Sequence, residues 1–295
     1  MAPRVRGRST VTAVLGAIGD LVEDVVVRLD GAINIASDTR AEVTRRRGGS
    51  AANVVAAACR NGDRARFIGQ IGDDVTGEWL AAHLHALGAD VMVRRSGRTG
   101  TVVVLVHPGG ERTMLSDRAA CAELSDPDAA WLEGLAVLHV PYYSLTAEPL
   151  AGTTTTLAAW AAERGIPVSV DASSAALLEA HGVGVAAARM RALRPSVVFA
   201  NELEAATLGT RLAPDEFDGA TVVVKRGAGP VTVHRHGLAA VDVPALRLDG
   251  VRDTTGAGDA FAAGFLTAFA THRDAIEAAH AGHRVAADEV RRASA

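Results

Sequence analysis

From residue 135 onward the hydropathy pattern alternates between two periods, and that alternation limits the folds open to the chain. Short apolar runs at 135–140, 166–170, 196–200 and 221–225 read as buried strands, while 149–163, 183–193 and 202–208 carry apolar residues at helical spacing. Strands separated by helix-length segments build βαβ units, and successive units form a mostly parallel sheet with helices on both faces. The first half supplies more of the same. Residues 11–18 and 67–71 read as strands, and an Ala/Val helix runs from Gly48-Gly49-Ser50-Ala51-Ala52-Asn53 to the stop signal Asn61-Gly62. The polar turn Gly72-Asp73-Asp74-Val75-Thr76-Gly77 opens a helix that ends at Gly88. Two stretches depart from the pattern. Residues 25–44 alternate apolar runs with Gly, Asn and Asp, and 101–107 and 111–116 flank Pro108-Gly109-Gly110, so both read as β-ribbon. A hairpin at 231–235 and 238–243 and a last helix over about 274–292 complete the chain. The expectation is one α/β domain over 1–295, a doubly wound sheet with ribbon segments near 25–46 and 99–117.

In open parallel sheets, ligands bind at the carboxyl ends of the strands. Asp24, Gly49, Asp171, Asn201, Gly227 and Asp253 all fall just after predicted strands, on that edge. The densest cluster is Asp253-Thr254-Thr255-Gly256-Ala257-Gly258-Asp259-Ala260-Phe261. Phe261, Phe265 and Phe269 lie four apart, so a helix begins near Gly258 with Asp259 in its first turn. The amides of about 256–259 then lack intrahelical partners and sit at the positive end of the helix dipole, a setting for an oxyanion. An acid beside such an anion hole has two readings. It caps a buried helix, or it takes a proton from a hydroxyl that attacks a phosphate.

Bulk properties remove several classes. The net charge of −4 gives no electrostatic case for nucleic acid or an anionic membrane. The run Arg45-Arg46-Arg47 is short and reads as a solvated strand end. Two cysteines, Cys59 and Cys121, are too few for a disulfide framework. Arg4, Arg6 and Arg8 precede an apolar run too short for a membrane span, and the compartment expected is the cytoplasm. The histidine pairs 83/85, 234/236 and 280/283 have no cysteine or carboxylate assigned beside them to make a metal site. Ser173-Ser174 lies in no nucleophile elbow. The turn after the first strand, Gly16-Ala17-Ile18-Gly19-Asp20, lacks the third glycine of a dinucleotide fingerprint.

Taken in order, the motifs resemble the ribokinase-like (PfkB) family of carbohydrate and nucleoside kinases, over nearly the whole chain. The N-terminal signature is matched by Gly48-Gly49-Ser50-Ala51-Ala52-Asn53 with Phe67–Gly77. The C-terminal signature is matched by Asp253–Phe261 with Gly264, and Asn201-Glu202-Leu203-Glu204 matches an N-x-x-E motif. The resemblance implies an ATP-dependent kinase that phosphorylates a hydroxyl of a small sugar, or alternatively of a nucleoside. A non-catalytic binding protein on the same scaffold is a further alternative. Asp259 would be the general base, and the amides of Gly256, Ala257 and Gly258 the anion hole. Asp24, Gly48, Gly49 and Asn53 would hold the substrate's hydroxyls.

For the nucleotide, the resemblance implies Lys225, Gly227, Gly229 and Thr254, with the adenine near His280. Asn201 and Glu204 would organise Mg²⁺ through water; on its own, their spacing reads equally as a capping box. Asp253 matches a position that contributes to a K⁺ site in many members. The ribbons would form a β lid that closes over the sugar and pairs two subunits. Three departures bear on specificity: Pro230 stands where a glycine is usual, Ser50 where ribokinases proper carry lysine, and Ala172-Ser173-Ser174 lacks the D-x-N-x-R pattern of fructokinase-like members. No basic cluster for an already phosphorylated sugar is evident apart from Arg112, so the substrate stays open.

Overall fold

The computed structural model describes residues 14–294. The first part of the strand expected at 11–18 and the basic residues before it lie outside that range. In chain order the regular elements are β1 (Val14–Ile18), β2 (Val22–Leu29), β3 (Ala41–Gly48), α1 (Ser50–Arg60), β4 (Arg64–Ile71), α2 (Val75–Ala86) and β5 (Asp90–Arg95). Then come β6 (Thr101–Val106), β7 (Arg112–Asp117), β8 (Leu135–Pro141), α3 (Leu150–Glu163), β9 (Val168–Asp171), α4 (Ala175–Ala180), α5 (Val183–Ala192), β10 (Val197–Asn201) and α6 (Glu202–Leu208). The chain ends with β11 (Thr221–Lys225), β12 (Val231–His234), β13 (Val241–Val243), α7 (Ala257–His272) and α8 (Ala275–Ser294).

Nine strands form the central sheet in the order β13-β12-β11-β10-β9-β8-β1-β4-β5. All neighbours from β11 to β5 run parallel, and β12 and β13 close the far edge as an antiparallel hairpin. The strand order reverses direction at β1, a switch point of the kind that opens a crevice at the carboxyl ends. Each sheet face has its own core. Leu15, Phe67 and Phe199 belong to the core shared with α1, α2, α7 and α8. Ile18, Ile68, Val198 and Ala200 pack on the other side with α3 and α5. This split follows from the two-residue period of strands buried on both faces.

The position of α7 is set by its aromatic stripe. Phe265 meets Phe199 of β10 edge to face at 5.2 Å, and Phe261 meets His283 of α8 at 5.1 Å. Truncating a buried phenylalanine such as Phe265 costs about 3–5 kcal/mol, so the stripe holds the helix start firmly over the sheet edge. Close packing of α7 on α8 depends on Gly264, where a Cβ would lie 2.6 Å from Val285 Cγ2 and 2.8 Å from the Ala281 carbonyl oxygen.

The ribbons form a second sheet, β3-β2-β6-β7, in which β2 and β6 run parallel and the outer pairs antiparallel. Its two crossings to the main body are pinned. Arg118, just after β7, donates to both Asp20 carboxylate oxygens at 2.7 Å. Asp74 caps α2 and also accepts from the Thr99 amide and hydroxyl at 2.7 and 2.6 Å. Two elements were not anticipated from sequence, the edge strand β5 and the six-residue α4. Among the described residues, no helix is long and apolar enough to cross a membrane.

Candidate active site

Gly256 adopts a left-handed conformation (φ 78°) as the cap of α7, which turns the chain sharply into the helix. Ala257, expected to lend its amide to the anion hole, instead donates to the Thr254 carbonyl at 3.1 Å and closes this turn. Among the described residues, the amides of Gly256, Gly258 and Asp259 have no partner within the protein. These three donors, with the helix dipole behind them, are a setting suited to an anion.

Asp259 stands in the same turn, half-buried, and α1 positions its carboxylate. The Ser50 hydroxyl donates to Oδ1 at 2.7 Å, and Asn53 Nδ2 donates to Oδ2 at 2.9 Å. Burial pushes the Asp259 carboxyl up to about 6; these two hydrogen bonds and the Lys225 ammonium pull it down, while the Asp171 charge adds to the rise. Asn53, expected on the substrate, thus has its amide nitrogen on the base, and its oxygen accepts from Arg47 Nη1 at 2.8 Å. Ser50 and Arg47 belong to the site although the sequence reading assigned neither to it.

Lys225 leaves β11 toward the same point. Its ammonium donates to Asp171 Oδ2 at 2.6 Å and stands 3.5 Å from where a Cβ on Gly258 would lie. Burial opposes its charge, yet Asp171, Glu204 and Asp259 together hold its pKa above the ordinary value. Glu204 is buried and makes a full capping box with Asn201. Asn201 N–H and Nδ2 donate to Glu204 at 2.7 Å each, and the Glu204 amide donates back at 2.9 Å. Burial and the neighbouring Asp171 charge push its carboxyl up to about 7. Among the described residues, no three His, Cys, Asp or Glu side chains could grip a metal ion by themselves. Even so, Asp171, Glu204 and Asp259 all act on one ammonium, and this excess of negative charge fits a cation carried in with phosphates and held through water.

The remaining expected contacts lie around this centre. Gly227 and Gly229 form a tight turn after β11, with Gly227 at φ 56°. Thr254 is exposed beside the α7 cap, and His280 is exposed on α8. Gly49 caps α1. Gly48 lets the Asp24 carboxylate lie against the backbone, since a Cβ there would collide with it. Asp253 faces the lid. Arg112 Nη2 donates to it at 2.8 Å, Arg46 pairs with it at 3.6 Å, and the Thr255 amide donates to it at 2.8 Å. Burial opposes the charge, but the Thr255 and Arg112 bonds hold the carboxyl well below the usual range. Its oxygens are thus engaged by lid arginines and by Thr255.

The lid strand β3 also corrects an expectation. Arg45-Arg46-Arg47 is not a solvated strand end. Arg45 is exposed, but Arg46 pairs with Asp24 and Asp253, and Arg47 is only 9% exposed. Arg46 and Arg47 help to line a cavity of about 310 Å³ with Asn53 and Arg60 of α1, His83 of α2, Thr255, Gly256, and Glu289 and Arg292 of α8.

A ribokinase-like sheet and lid, with a carboxylate held beside an open helix start, define a sugar- or nucleoside-kinase scaffold. Comparison with known proteins gives the family. Residues 15–295 match the model of the pfkB family carbohydrate kinases, and the chain belongs to that family. It is similar to an ATP-dependent ribose-1-phosphate kinase of Halopiger xanaduensis, 32% identical over 88% of this chain and 86% of the relative. It is also similar to a fructokinase of Klebsiella pneumoniae, 29% identical over 82% of this chain and 83% of the relative. Among solved structures, the adenosine kinase of Sinorhizobium meliloti superposes with a TM-score of 0.82 at 25% identity, covering 93% of each chain.

Proposed function

We propose that the protein transfers the γ-phosphoryl group of ATP to a hydroxyl, most simply a primary one, of a small sugar, with Asp259 as general base. The observation that carries this reading is the half-buried Asp259 carboxylate, held by Ser50 and Asn53 in the first turn of a helix whose amides stay open. A cap needs no such support from a second helix. With its carboxyl pushed up to about 6, Asp259 is ionised at neutral pH yet basic enough to accept the hydroxyl proton. The amides of Gly256, Gly258 and Asp259 receive the charge on the transferred group, and Lys225 adds a cation beside them. Magnesium, when bound with ATP, neutralises phosphate charge; Glu204 and Asn201 are the residues that would hold it through water.

Asp259→Asn tests this directly. The variant keeps its ATP affinity and loses roughly a thousandfold or more of kcat; near-normal turnover would refute the base assignment. A nucleoside acceptor is the second reading, supported by the likeness to the adenosine kinase. Activity on adenosine but not on sugars would favour it.

The lid is also proposed to pair two copies of the chain. Strand register puts Val25, Val27, Val43, Val103, Leu105 and Leu115 on one face of the lid sheet, opposite the face that carries Asp24 and Arg46. Val43 and Leu115 are each 57% exposed in the single chain. Such an apolar face calls for a partner.

A further inference from the structure

The cavity that Asn53 lines, one hydrogen bond away from Asp259, is charged in a way that a neutral sugar does not require. Arg46, Arg47, Arg60 and Arg292 face it against only two carboxylates, Asp24 and Glu289. Arg46 is engaged by Asp24 and Asp253. Arg60 and Arg292 share one acid, Glu289, at 2.9 and 2.8 Å. Among the described residues, Arg47 has no carboxylate partner; its Nη1 donates to Asn53, while its buried Nε finds no partner there, and neither does the buried Nδ1 of His83 on the cavity wall. Burial first, and then repulsion from Arg60, lower Arg47 to about 10, against the pull of Asp259, Glu289 and Asp24. Two like charges held together, with a buried donor left open, are costly unless an anion joins them.

The geometry points to an acceptor that is itself a sugar phosphate, its phosphate held by Arg47, Arg60 and Arg292 while a free hydroxyl meets Asp259. This rests on the kinase reading above. Asn53 supplies the connection, because it touches both Arg47 and Asp259. On α1, Asn53, Ala57 and Arg60 fall at i, i+4 and i+7, one face running from the base to the arginines. A phosphate carries close to two negative charges at neutral pH, which match the positive charge left by the surplus of arginines over acids here, and guanidinium groups grip its oxygens in pairs. The cavity of about 310 Å³ lies at the small end for ligand sites, roughly 300–1,000 Å³, the scale of one monosaccharide and its phosphate. In the reaction the acceptor oxygen bonds to the γ-phosphorus as the bond to the bridging oxygen breaks. ADP leaves with the electron pair, the proton passes to Asp259, and the product is a sugar bisphosphate.

The test compares ribose 1-phosphate, ribose 5-phosphate and fructose 6-phosphate with ribose, fructose, gluconate and adenosine as acceptors for the full chain with ATP and Mg²⁺. At least one sugar phosphate is expected to exceed its parent sugar in kcat/KM on the order of 100-fold or more. Arg60→Gln and Arg292→Gln, both at the partly open rim, are each expected to lower that kcat/KM by about 10- to 100-fold, mainly through KM. The KM for ATP is expected to stay within about twofold, which a misfolded or nucleotide-site variant would not manage. A free sugar, sugar acid or nucleoside as the best acceptor would overturn the proposal, and so would arginine variants that weaken ATP in place of the acceptor. Calorimetric binding of the sugar phosphate without ATP separates the two readings. Binding that is lost in Arg60→Gln and kept in Asp259→Asn upholds the phosphate subsite even if the base assignment fails. Asp259-dependent turnover of free sugars, indifferent to Arg60, upholds the kinase and sinks the subsite.

Discussion

Two regions of opposite charge meet at the start of α7. On one side Asp171, Glu204 and Asp259 crowd around the single ammonium of Lys225. On the other, four arginines face two acids. Both are too unbalanced to be comfortable when empty, and they err in opposite directions. The acidic side is suited to a nucleotide that brings its own cations, and the basic side to an anion that brings none. Asn53 separates them, one end of its amide on Asp259 and the other on Arg47. Charge matching can therefore decide which end of the site takes which substrate before shape does.

The contrast can be broken at several points. The largest effect is expected from Lys225→Met, which leaves three carboxylates without a counter-charge; kcat should fall by about 100- to 1,000-fold with the acceptor KM little changed. Initial rates with both substrates varied would check this, and a selective rise in acceptor KM would place Lys225 on the wrong side. Ser50→Ala comes next. Because Asp259 is protonated below about 6, activity is expected to rise with pH through that region, and losing the Ser50 bond removes a cause that lowers the pKa. The acid limb of kcat/KM should then move upward by about one unit, the worth of one hydrogen bond to the carboxylate. An unmoved limb would mean that another group titrates.

A smaller effect concerns stability, and its sign is opposite to that on activity. The folded-state pKa of Asp259 is raised above the ordinary 3.8. The folded chain therefore holds the proton more tightly, and stability is lost as pH rises from about 4 to about 6. Asp259→Asn carries no such penalty. It is expected to melt a few degrees above the wild type at pH 8, with the gap narrowing toward pH 4 in thermal scans. The smallest effect on chemistry is expected from Leu115→Lys on the outer lid face, which should shift sedimentation toward a single chain while kcat changes by less than about threefold.

Much of this arrangement was legible in the sequence. The strand–helix alternation predicted the sheet, and the glycines and acid of 253–259 predicted the helix start, because both depend on neighbours within a few residues. The arginine end was not. Arg47 comes from β3, Arg60 from the last turn of α1, and Arg292 from the last turn of α8, and only the packing of α7 on its neighbours brings them together. No local pattern distinguishes Arg46 and Arg47 from the exposed Arg45 beside them. Ser50 was legible as a departure from lysine, but its bond to Asp259 spans 209 positions. The strand β5 was missed because it is a short edge with little alternation, Asp-Val-Met-Val-Arg-Arg.

Asp253 has a consequence for timing. Two lid arginines, Arg46 and Arg112, end on a carboxylate three positions before the Gly256 turn. Whatever lifts the lid must also let go of the segment that shapes the anion hole. An open protein would then hold ATP over an unfinished catalytic turn, and arrival of the acceptor beneath the lid would complete it. On the proposed function, idle hydrolysis of ATP would be restrained in this way by a single side chain shared between the cover and the turn it covers.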